Sequence, residues 1–168
     1  TIKMKKITFI LLALISGTAF AQNTAEGTAT VNALIVSPIG VSTSDNIDFG
    51  KIVKTEAGGT VVIPTNGGER VISDAMDIAS TPATAATFAV TAEENTTYSV
   101  SIPQLTIKNT TDETQTMTVD FDHSLNEGSN SSTGNTAATF VVGGTLNVGG
   151  NQKAGSYTGT ATVTVSYE

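Results

Sequence analysis

The clearest pattern in the chain is a strict alternation of two kinds of side chain near its C-terminus. From Tyr157 to Tyr167, every second residue is apolar or glycine, and the residues between them are Thr or Ser. Successive side chains of a β-strand point to opposite faces, so the alternation predicts one half-buried strand. Its apolar face comprises Tyr157, Gly159, Ala161, Val163, Val165 and Tyr167.

A second alternating stretch runs from Gly27 to Val41 and predicts another strand of the same character. Past Leu34 both faces become apolar, as in a strand that passes between two sheets. Pro38 removes one amide donor, which predicts an edge strand, a bulge or two shorter strands. The alternating apolar residues are Ala29, Val31, Ala33 and Ile35.

The rest of the chain predicts short strands separated by turns. Asn46 to Ile52 follows a polar turn, Ser42 to Asp45. Three pairs of strands are predicted, each joined by a turn: Thr60 to Pro64 with Arg70 to Ser73, Thr87 to Thr91 with Thr97 to Ile102, and Leu105 to Lys108 with Met117 to Phe121. Two more short strands are predicted at Thr139 to Val142 and Thr145 to Val148, and a Gly-Gly pair follows each of them.

Asp74 to Ala86 is expected to be a loop, in which a short helix could form around Asp74 to Ala79. Glu127 to Asn135 is expected to be a flexible surface loop. About nine or ten short strands with regular turns predict an all-β fold, an immunoglobulin-like β-sandwich of antiparallel strands.

The N-terminal residues have the features of a secretory signal peptide. Met4 is followed by a basic n-region (Lys5, Lys6), an apolar h-region (Ile7 to Ile15) and a cleavage site with small residues (Ala19 to Ala21). Residues 1–21 are therefore expected to be removed, residues 1–3 lying upstream of the initiator. The run is too short to span a bilayer, and no later stretch approaches the roughly 20 apolar residues that a transmembrane helix needs.

The mature chain would have 168 − 21 = 147 residues, the size of one domain: an alternating segment, 22–41, and a β-sandwich, 42–168. It has no cysteine, so packing alone must stabilise it after export. Three of the eight basic residues leave with the signal peptide, so the mature net charge is 5 − 15 = −10. Nucleic acid is therefore not an expected partner, because phosphate binding needs a basic surface.

No set of residues in the sequence predicts catalysis. The one histidine, His123, follows Asp120 and Asp122, and two carboxylates with an imidazole are metal-ligand types. The alternation places Val119 and Phe121 on the core face and the two carboxylates on the solvent face, so we favour a structural interpretation and leave ion binding open. The sequence predicts neither an enzyme nor a cofactor site.

The C-terminal strand has a position-specific signature. Gly155 is the fourteenth residue from the end, alternating apolar residues follow it, and Tyr167 is the penultimate residue. In this the chain resembles pilus subunits assembled by the chaperone–usher route. It also resembles a broad group of uncharacterised secreted β-domains of Gram-negative bacteria, through Ile47 to Ile52 and Val142 to Val148.

The resemblance implies a pilin-like sandwich that lacks one strand, which the N-terminal segment of another subunit supplies. Ala29, Val31, Ala33 and Ile35 would be the donor residues. The C-terminal face from Gly155 to Tyr167 would border the acceptor groove. The implied partners are other copies of the chain or related subunits, a periplasmic chaperone and an outer-membrane usher. The implied location is a fibre on the cell surface or the extracellular space.

Two alternatives stay open at this point. Gly27 to Val41 is equally suitable as the first strand of a complete sandwich, since alternation does not distinguish a donated strand from a resident one. The chain would then be a self-contained adhesive or carbohydrate-binding module. The absence of Trp and the presence of only three Tyr weaken a glycan-binding interpretation, because exposed aromatic side chains usually bind sugars.

Overall fold

The structure, a computed structural model, describes residues 24–53, 55–73, 77–78, 81–125, 130–131 and 137–168. The regular elements in these ranges are antiparallel β-strands without a helix, which confirms the predicted all-β class. The strands are β1 (Gly40–Asp45), β2 (Ile52–Val53), β3 (Gly59–Ile63), β4 (Val71–Ile72), β5 (Asp77–Ile78), β6 (Ala86–Thr91), β7 (Thr97–Ser101), β8 (Leu105–Asn109), β9 (Thr116–His123), β10 (Asn130–Ser131), β11 (Ala138–Val148), β12 (Tyr157–Thr158) and β13 (Thr164–Tyr167).

The chain divides into two units, residues 1–34 and 35–168, and all of these strands belong to the second unit. The predicted signal peptide, residues 1–21, and most of the predicted loop from Glu127 to Asn135 lie outside the described residues. The part of the chain that the structure describes contains no helix long and apolar enough to cross a membrane.

The strands form a β-sandwich with a large and a small sheet. The large sheet runs in the order β1-β6-β11-β9-β8-β12, with β3 beside the second half of β11 and β4 beside β3. The small sheet has the order β10-β7-β13, and β2 pairs with β5 in a separate ribbon. A sheet with one apolar face must bury that face against another layer, and this requirement defines the sandwich.

Strand β11 is the centre of the large sheet. It pairs along one side with β6 and then β3, and along the other side with β9. The prediction of two short strands divided by Gly143 and Gly144 is wrong, because β11 continues through both glycines. A Cβ atom at Gly143 would lie 2.1 Å from the carbonyl oxygen of Ile63, and one at Gly144 2.5 Å from that of Asp120. The two glycines therefore permit close approach of neighbouring strands.

The core contains two clusters of buried side chains. One comprises Val61, Met117, Val119, Leu146 and Val148, with half-buried Phe49, Ile52, Ile107 and Tyr157 packed against it. The other comprises Ala86, Val90, Ala92, Tyr98, Phe140 and Val142, against which Val163, Val165 and Tyr167 of the C-terminal segment pack. Within the second cluster the rings of Phe88 and Phe140 stack at a centroid distance of 5.5 Å. The two clusters mark the two ends of the sandwich core.

Several sequence-based assignments are confirmed. The predicted pair of Thr60 to Pro64 with Arg70 to Ser73 is the β3–β4 hairpin, in which Val61 pairs with Ile72. The predicted pair of Leu105 to Lys108 with Met117 to Phe121 is β8–β9. In both hairpins a polar turn joins two alternating apolar stretches, so local sequence suffices to specify the pairing.

Other assignments are wrong. The predicted turn at Ser42 to Asp45 belongs to β1, which pairs with β6 although its side chains are exposed. The strand predicted from Gly27 does not form before Gly40. Thr87 to Thr91 and Thr97 to Ile102 do not pair as a hairpin, since β6 and β7 lie in different sheets. In the predicted helical segment Asp74 to Ala79, Asp77–Ile78 form β5, and the other residues lie outside the described ranges.

The C-terminal strand is divided between the two sheets. β12 pairs with β8 at the edge of the large sheet, and β13 pairs with β7 in the small sheet. Residues 159–163 connect them and belong to no strand. The alternation survives this division, because Tyr157, Ala161 and the apolar residues after them are half buried while the Thr and Ser residues between them are exposed.

Gly155 precedes this segment in a conformation that favours glycine. Its φ is +145°, and a Cβ atom there would lie 2.5 Å from Nδ2 of Asn109. Asn109 is 1% exposed, and its Oδ1 accepts the amide N–H groups of Thr111 and Asp112. Gly155 therefore packs on a buried turn that fixes the start of the C-terminal segment.

Replacing Phe140 by Ala should lower the free energy of unfolding by roughly 3–5 kcal/mol, because the lost ring leaves a cavity in the second core cluster. Urea unfolding of the Phe140→Ala chain measures this loss. The matched control is Val71→Ala, at a side chain that is 59% exposed. Equal losses for the two variants would contradict the assignment of the core.

Gly155→Ala should destabilise the chain by about 1–3 kcal/mol, from backbone strain and from the clash with Asn109. Gly67→Ala is the control, because Gly67 has a φ of +76° but open space where its Cβ would lie. Urea unfolding should show a smaller loss for Gly67→Ala. An equal or larger loss there would mean that the contact with Asn109 contributes nothing.

Candidate binding groove

An apolar groove with a volume of about 890 Å³ opens on the inner face of the large sheet. Its floor consists of side chains from three neighbouring strands, β8, β9 and β11. They are Leu105, Ile107, Met117, Val119, Phe121, Leu146 and Val148. Along β8 and β9 these residues alternate with more exposed ones, so the pleat directs them to one face. The floor includes four buried members of the first core cluster, and its half-buried residues are Leu105, Ile107 and Phe121.

Two chain segments form the walls of the groove. Residues 46–53, which include Ile47, Phe49 and Ile52, line it on one side. Residues 152–159 and Ala161 line it on the other. The Tyr157 hydroxyl donates to the carbonyl oxygen of Lys153 at 2.7 Å and accepts from Nε2 of Gln152 at 2.8 Å, which fixes the second wall.

Part of the second wall is backbone without a strand partner. Residues 160–162 lie between β12 and β13 and pair with no strand in the described part of the chain. An extended peptide binds to such an edge through main-chain hydrogen bonds and places alternate side chains in the adjacent groove. The geometry therefore suits a β-strand as the occupant.

The groove accommodates part of an extended strand. Met117, Val119 and Phe121 of β9 lie on its floor, and this five-residue stretch spans about 17 Å at the usual strand rise. The seven residues from Ala29 to Ile35 would span about 24 Å when extended, so about five of them fit along the floor.

The predicted donor residues lie in an exposed segment. Residues 24–38 are all exposed and contain no strand. The exposed fraction is 90% for Val31, 88% for Leu34 and 93% for Ile35. Large apolar side chains exposed in a row are typical of an interaction site.

The predicted C-terminal site residues divide into two groups. Gly155, Tyr157 and Ala161 line the groove. Val163, Val165 and Tyr167 pack against the second core cluster instead. The structure therefore brings only the first half of the predicted C-terminal face to the groove, and the sequence did not reveal the opposite wall, residues 46–53.

Three residues clamp the chain where the exposed segment joins the sandwich. The amide of Ser37 donates to Oε2 of Glu93 at 3.0 Å, and the carbonyl oxygen of Ser37 accepts from the Tyr167 hydroxyl at 2.8 Å. That hydroxyl also accepts from the Glu93 amide at 2.8 Å. We call Ser37, Glu93 and Tyr167 the clamp. No sequence pattern links positions 37, 93 and 167, which lie far apart in the chain.

Ser37 lowers the pKa of Glu93 below its ordinary value, first through a hydrogen bond from its side chain and then through one from its backbone amide, against a smaller effect of burial. A carboxylate that accepts hydrogen bonds is stabilised in its charged form. The clamp therefore requires an ionised Glu93.

Asp120, Asp122 and His123 do not form a metal site in the structure. Asp120 and Asp122 are exposed on the outer face, as predicted, and His123 is half buried with its ring edge-on to Phe140 at 6.2 Å. Asp120 accepts hydrogen bonds from Gln104 and Asn147. Among the described residues, no three His, Cys, Asp or Glu side chains are grouped closely enough to hold a metal ion.

The clamp should weaken in acid. Because the pKa of Glu93 is lowered in the folded chain, its stabilising contribution is present above its ordinary value and is lost as pH falls through the lowered value. An NMR titration should show the Ser37 amide shift following the Glu93 carboxyl, with a midpoint below 4.5. Glu93→Gln should abolish this titration. A midpoint at or above 4.5 would contradict the clamp.

Comparison with known proteins locates the sandwich within one family. Residues 39–167 match the family described as Domain of unknown function (DUF4402). No curated protein and no solved structure matches the chain. The matched range begins two residues after Ser37, so it contains the groove and leaves out the exposed alternating segment. Since the match covers most of the chain, the protein belongs to the DUF4402 family.

Proposed function

We propose that this protein is a structural subunit of a bacterial surface fibre, in which subunits polymerise by strand exchange. The observation that carries the proposal is the apolar groove, which has an unpaired backbone edge along one wall. The donated strand is the exposed segment with Ala29, Val31, Ala33 and Ile35 on its apolar face. The groove of another copy receives it.

The chemistry of the segment matches that of the groove. The floor is aliphatic and aromatic, and the donor face consists of alternating small and large aliphatic side chains. In an added strand these four side chains point to the groove, and Thr28, Thr30 and Asn32 point away from it. Alternate side chains therefore determine the register, as in other complexes formed by strand addition.

Burial of the donor side chains does not by itself supply enough free energy to hold two subunits together. Burying Val31 and Ile35 contributes roughly 3–6 kcal/mol, while association costs about 4–15 kcal/mol in lost freedom. Main-chain hydrogen bonds to the unpaired wall add about 0.5–1.5 kcal/mol each. We expect strand pairing and apolar burial together to hold the subunits, with neither sufficient alone.

The predicted export signal and the net charge of the mature chain are consistent with a fibre outside the cell. A charge of −10 on each copy repels other copies, so assembly should be faster at higher salt concentration. A periplasmic chaperone that covers the groove before assembly, and an outer-membrane usher, are further parts of the proposal. Each would act on the same unpaired edge.

Charged substitutions on the donor face should abolish assembly. Val31→Asp and Ile35→Asp each place a carboxylate against the apolar floor, where burial of an unpaired charge is costly. Unboiled gels of the full chain after concentration should show a ladder of oligomers for the unmodified protein and monomer for both variants.

The controls are Thr30→Asp and Asn32→Asp, which add the same charge on the opposite face of the same segment. Both should retain the ladder. Loss of the ladder in all four variants would indicate a charge effect rather than strand insertion. A sharp monomer band for the unmodified chain at every concentration would contradict the fibre and favour a self-contained binding module.

A further inference from the structure

The turn between β3 and β4 contains the one Asn-Gly pair of the chain. Asn66 is followed by Gly67, and every other asparagine in the sequence is followed by a residue with a side chain. Both residues are exposed, and they lie between Ile63, the last residue of β3, and Val71, the first residue of β4. Water therefore reaches the carboxamide of Asn66 and the backbone that follows it.

The Asn66 carboxamide is folded over that backbone. Its Oδ1 accepts the amide of Gly68 at 2.9 Å, and a Cβ atom at Gly68 would lie 3.8 Å from Cγ of Asn66. An asparagine that accepts the amide two residues ahead closes a turn over the intervening peptide nitrogen. That nitrogen belongs to Gly67, so the hydrogen bond keeps the carboxamide close to it.

Three features favour attack of the Gly67 nitrogen on Cγ of Asn66. The two atoms belong to adjacent residues and close a five-membered ring, so the reaction is intramolecular. Gly67 has no side chain to crowd its nitrogen. The Gly68 amide donates to Oδ1, the atom that becomes negatively charged during the attack, at the distance expected of an oxyanion-hole donor.

Asn109 has one of these features without the others. Its Oδ1 also accepts the amide two residues ahead, that of Thr111, at 2.9 Å. However, Asn109 is 1% exposed, and the next residue is Thr110, whose β-branched side chain crowds the attacking nitrogen. Asn66 combines the hydrogen bond with exposure to water and a following glycine.

We infer that Asn66 is a site of spontaneous covalent modification, at which the Gly67 nitrogen displaces ammonia and water then converts the resulting imide to an acid. Hydroxide from the solvent takes the proton of the Gly67 amide, a bond forms between that nitrogen and Cγ of Asn66, and the Cγ–Nδ2 bond breaks. The leaving nitrogen takes a proton from water and departs as ammonia. The reaction needs neither the groove nor a second copy.

Water opens the imide at one of its two carbonyl carbons. Hydrolysis at Cγ gives aspartate in a normal backbone, and hydrolysis at the main-chain carbonyl carbon gives isoaspartate, whose backbone continues through Cγ. One water is consumed and one ammonia is released, and nothing is oxidised or reduced. Both products add one negative charge to the turn, and isoaspartate also lengthens its backbone by one carbon.

The lengthened backbone should weaken the hairpin. β4 pairs with β3 through Val61 with Ile72 and Val62 with Val71. Ile72 packs against the first core cluster, so its position depends on the register that the turn sets. An extra backbone carbon in the turn shifts β4 against β3 and displaces Ile72 from that contact.

Peptide mapping of the folded full chain tests the site. The chain would be incubated in mildly alkaline buffer and digested with trypsin, which releases Asn66 in the peptide of residues 55–70. A mass gain of about 1 Da marks the exchange of amide for carboxyl, and a protein isoaspartyl methyltransferase labels isoaspartate alone. We expect both signals at position 66, at a rate that rises with hydroxide concentration, and neither over the same time at Asn109 or the exposed Asn95.

The matched variant is Gly67→Ala, which adds a methyl group in open space and should slow labelling at position 66. A folded chain that stays unmodified at position 66 would overturn the inference. Equal rates at Asn66 and Asn95 would do the same, because exposure alone would then account for the reaction. A mass gain without methyltransferase labelling would indicate direct hydrolysis of the side chain and would also overturn it.

Pulse proteolysis along a urea series tests the effect on the hairpin. Methyltransferase labelling of the surviving chain should show that the isoaspartate form is lost at lower urea concentration than Asn66→Asp. Asn66→Asp is the matched control, because it carries the same added charge in a normal backbone. Equal midpoints for the two would contradict the displacement of β4.

Discussion

The uneven covering of the large sheet is the constraint on which the rest of the structure depends. Its inner face is apolar along β6, β8, β9 and β11, and an apolar face must be buried. The small sheet covers the end with Tyr98 and Phe140, while at the other end Leu105, Ile107 and Phe121 stay half buried around the buried Val119 and Leu146. The other end has only residues 46–53 and the start of the C-terminal segment above it, and the space between them is the groove.

The division of the C-terminal strand follows from the same constraint. A single straight strand would have to stay in one sheet, whereas this segment begins beside β8 in the large sheet and ends beside β7 in the small one. The residues between are left without a partner, and they border the uncovered region. The unpaired backbone and the open apolar floor therefore arise together, and a strand is the one element that would satisfy both.

The clamp fixes the point at which the exposed segment leaves the sandwich. It holds Ser37 beside Tyr167, which packs against the second core cluster. Three hydrogen bonds join residues far apart in sequence, and one depends on the charge of Glu93. In our proposal the exposed apolar segment that precedes Ser37 inserts into the groove of another copy.

Local patterns were enough to predict part of the structure from the sequence. The all-β class, the β3–β4 and β8–β9 hairpins, the outward Asp120 and Asp122 and the apolar face from Tyr157 to Tyr167 all follow from alternation and turn residues. These features depend on residues close together in the chain, and the period of two in a strand is unambiguous. The alternation of Ala29 to Ile35 was equally visible in the sequence. It did not determine whether this segment forms a strand of its own sandwich.

Only the tertiary structure decided the features that depend on distant residues. Gly143 and Gly144 resemble a turn in sequence, yet they lie within β11 because Ile63 and Asp120 approach them closely. β6 and β7 resemble a hairpin but belong to different sheets. The groove brings residues 46–53 close to residues 152–161. The clamp brings residue 37 close to residues 93 and 167. No local pattern carries that information, because it depends on which layer each strand joins.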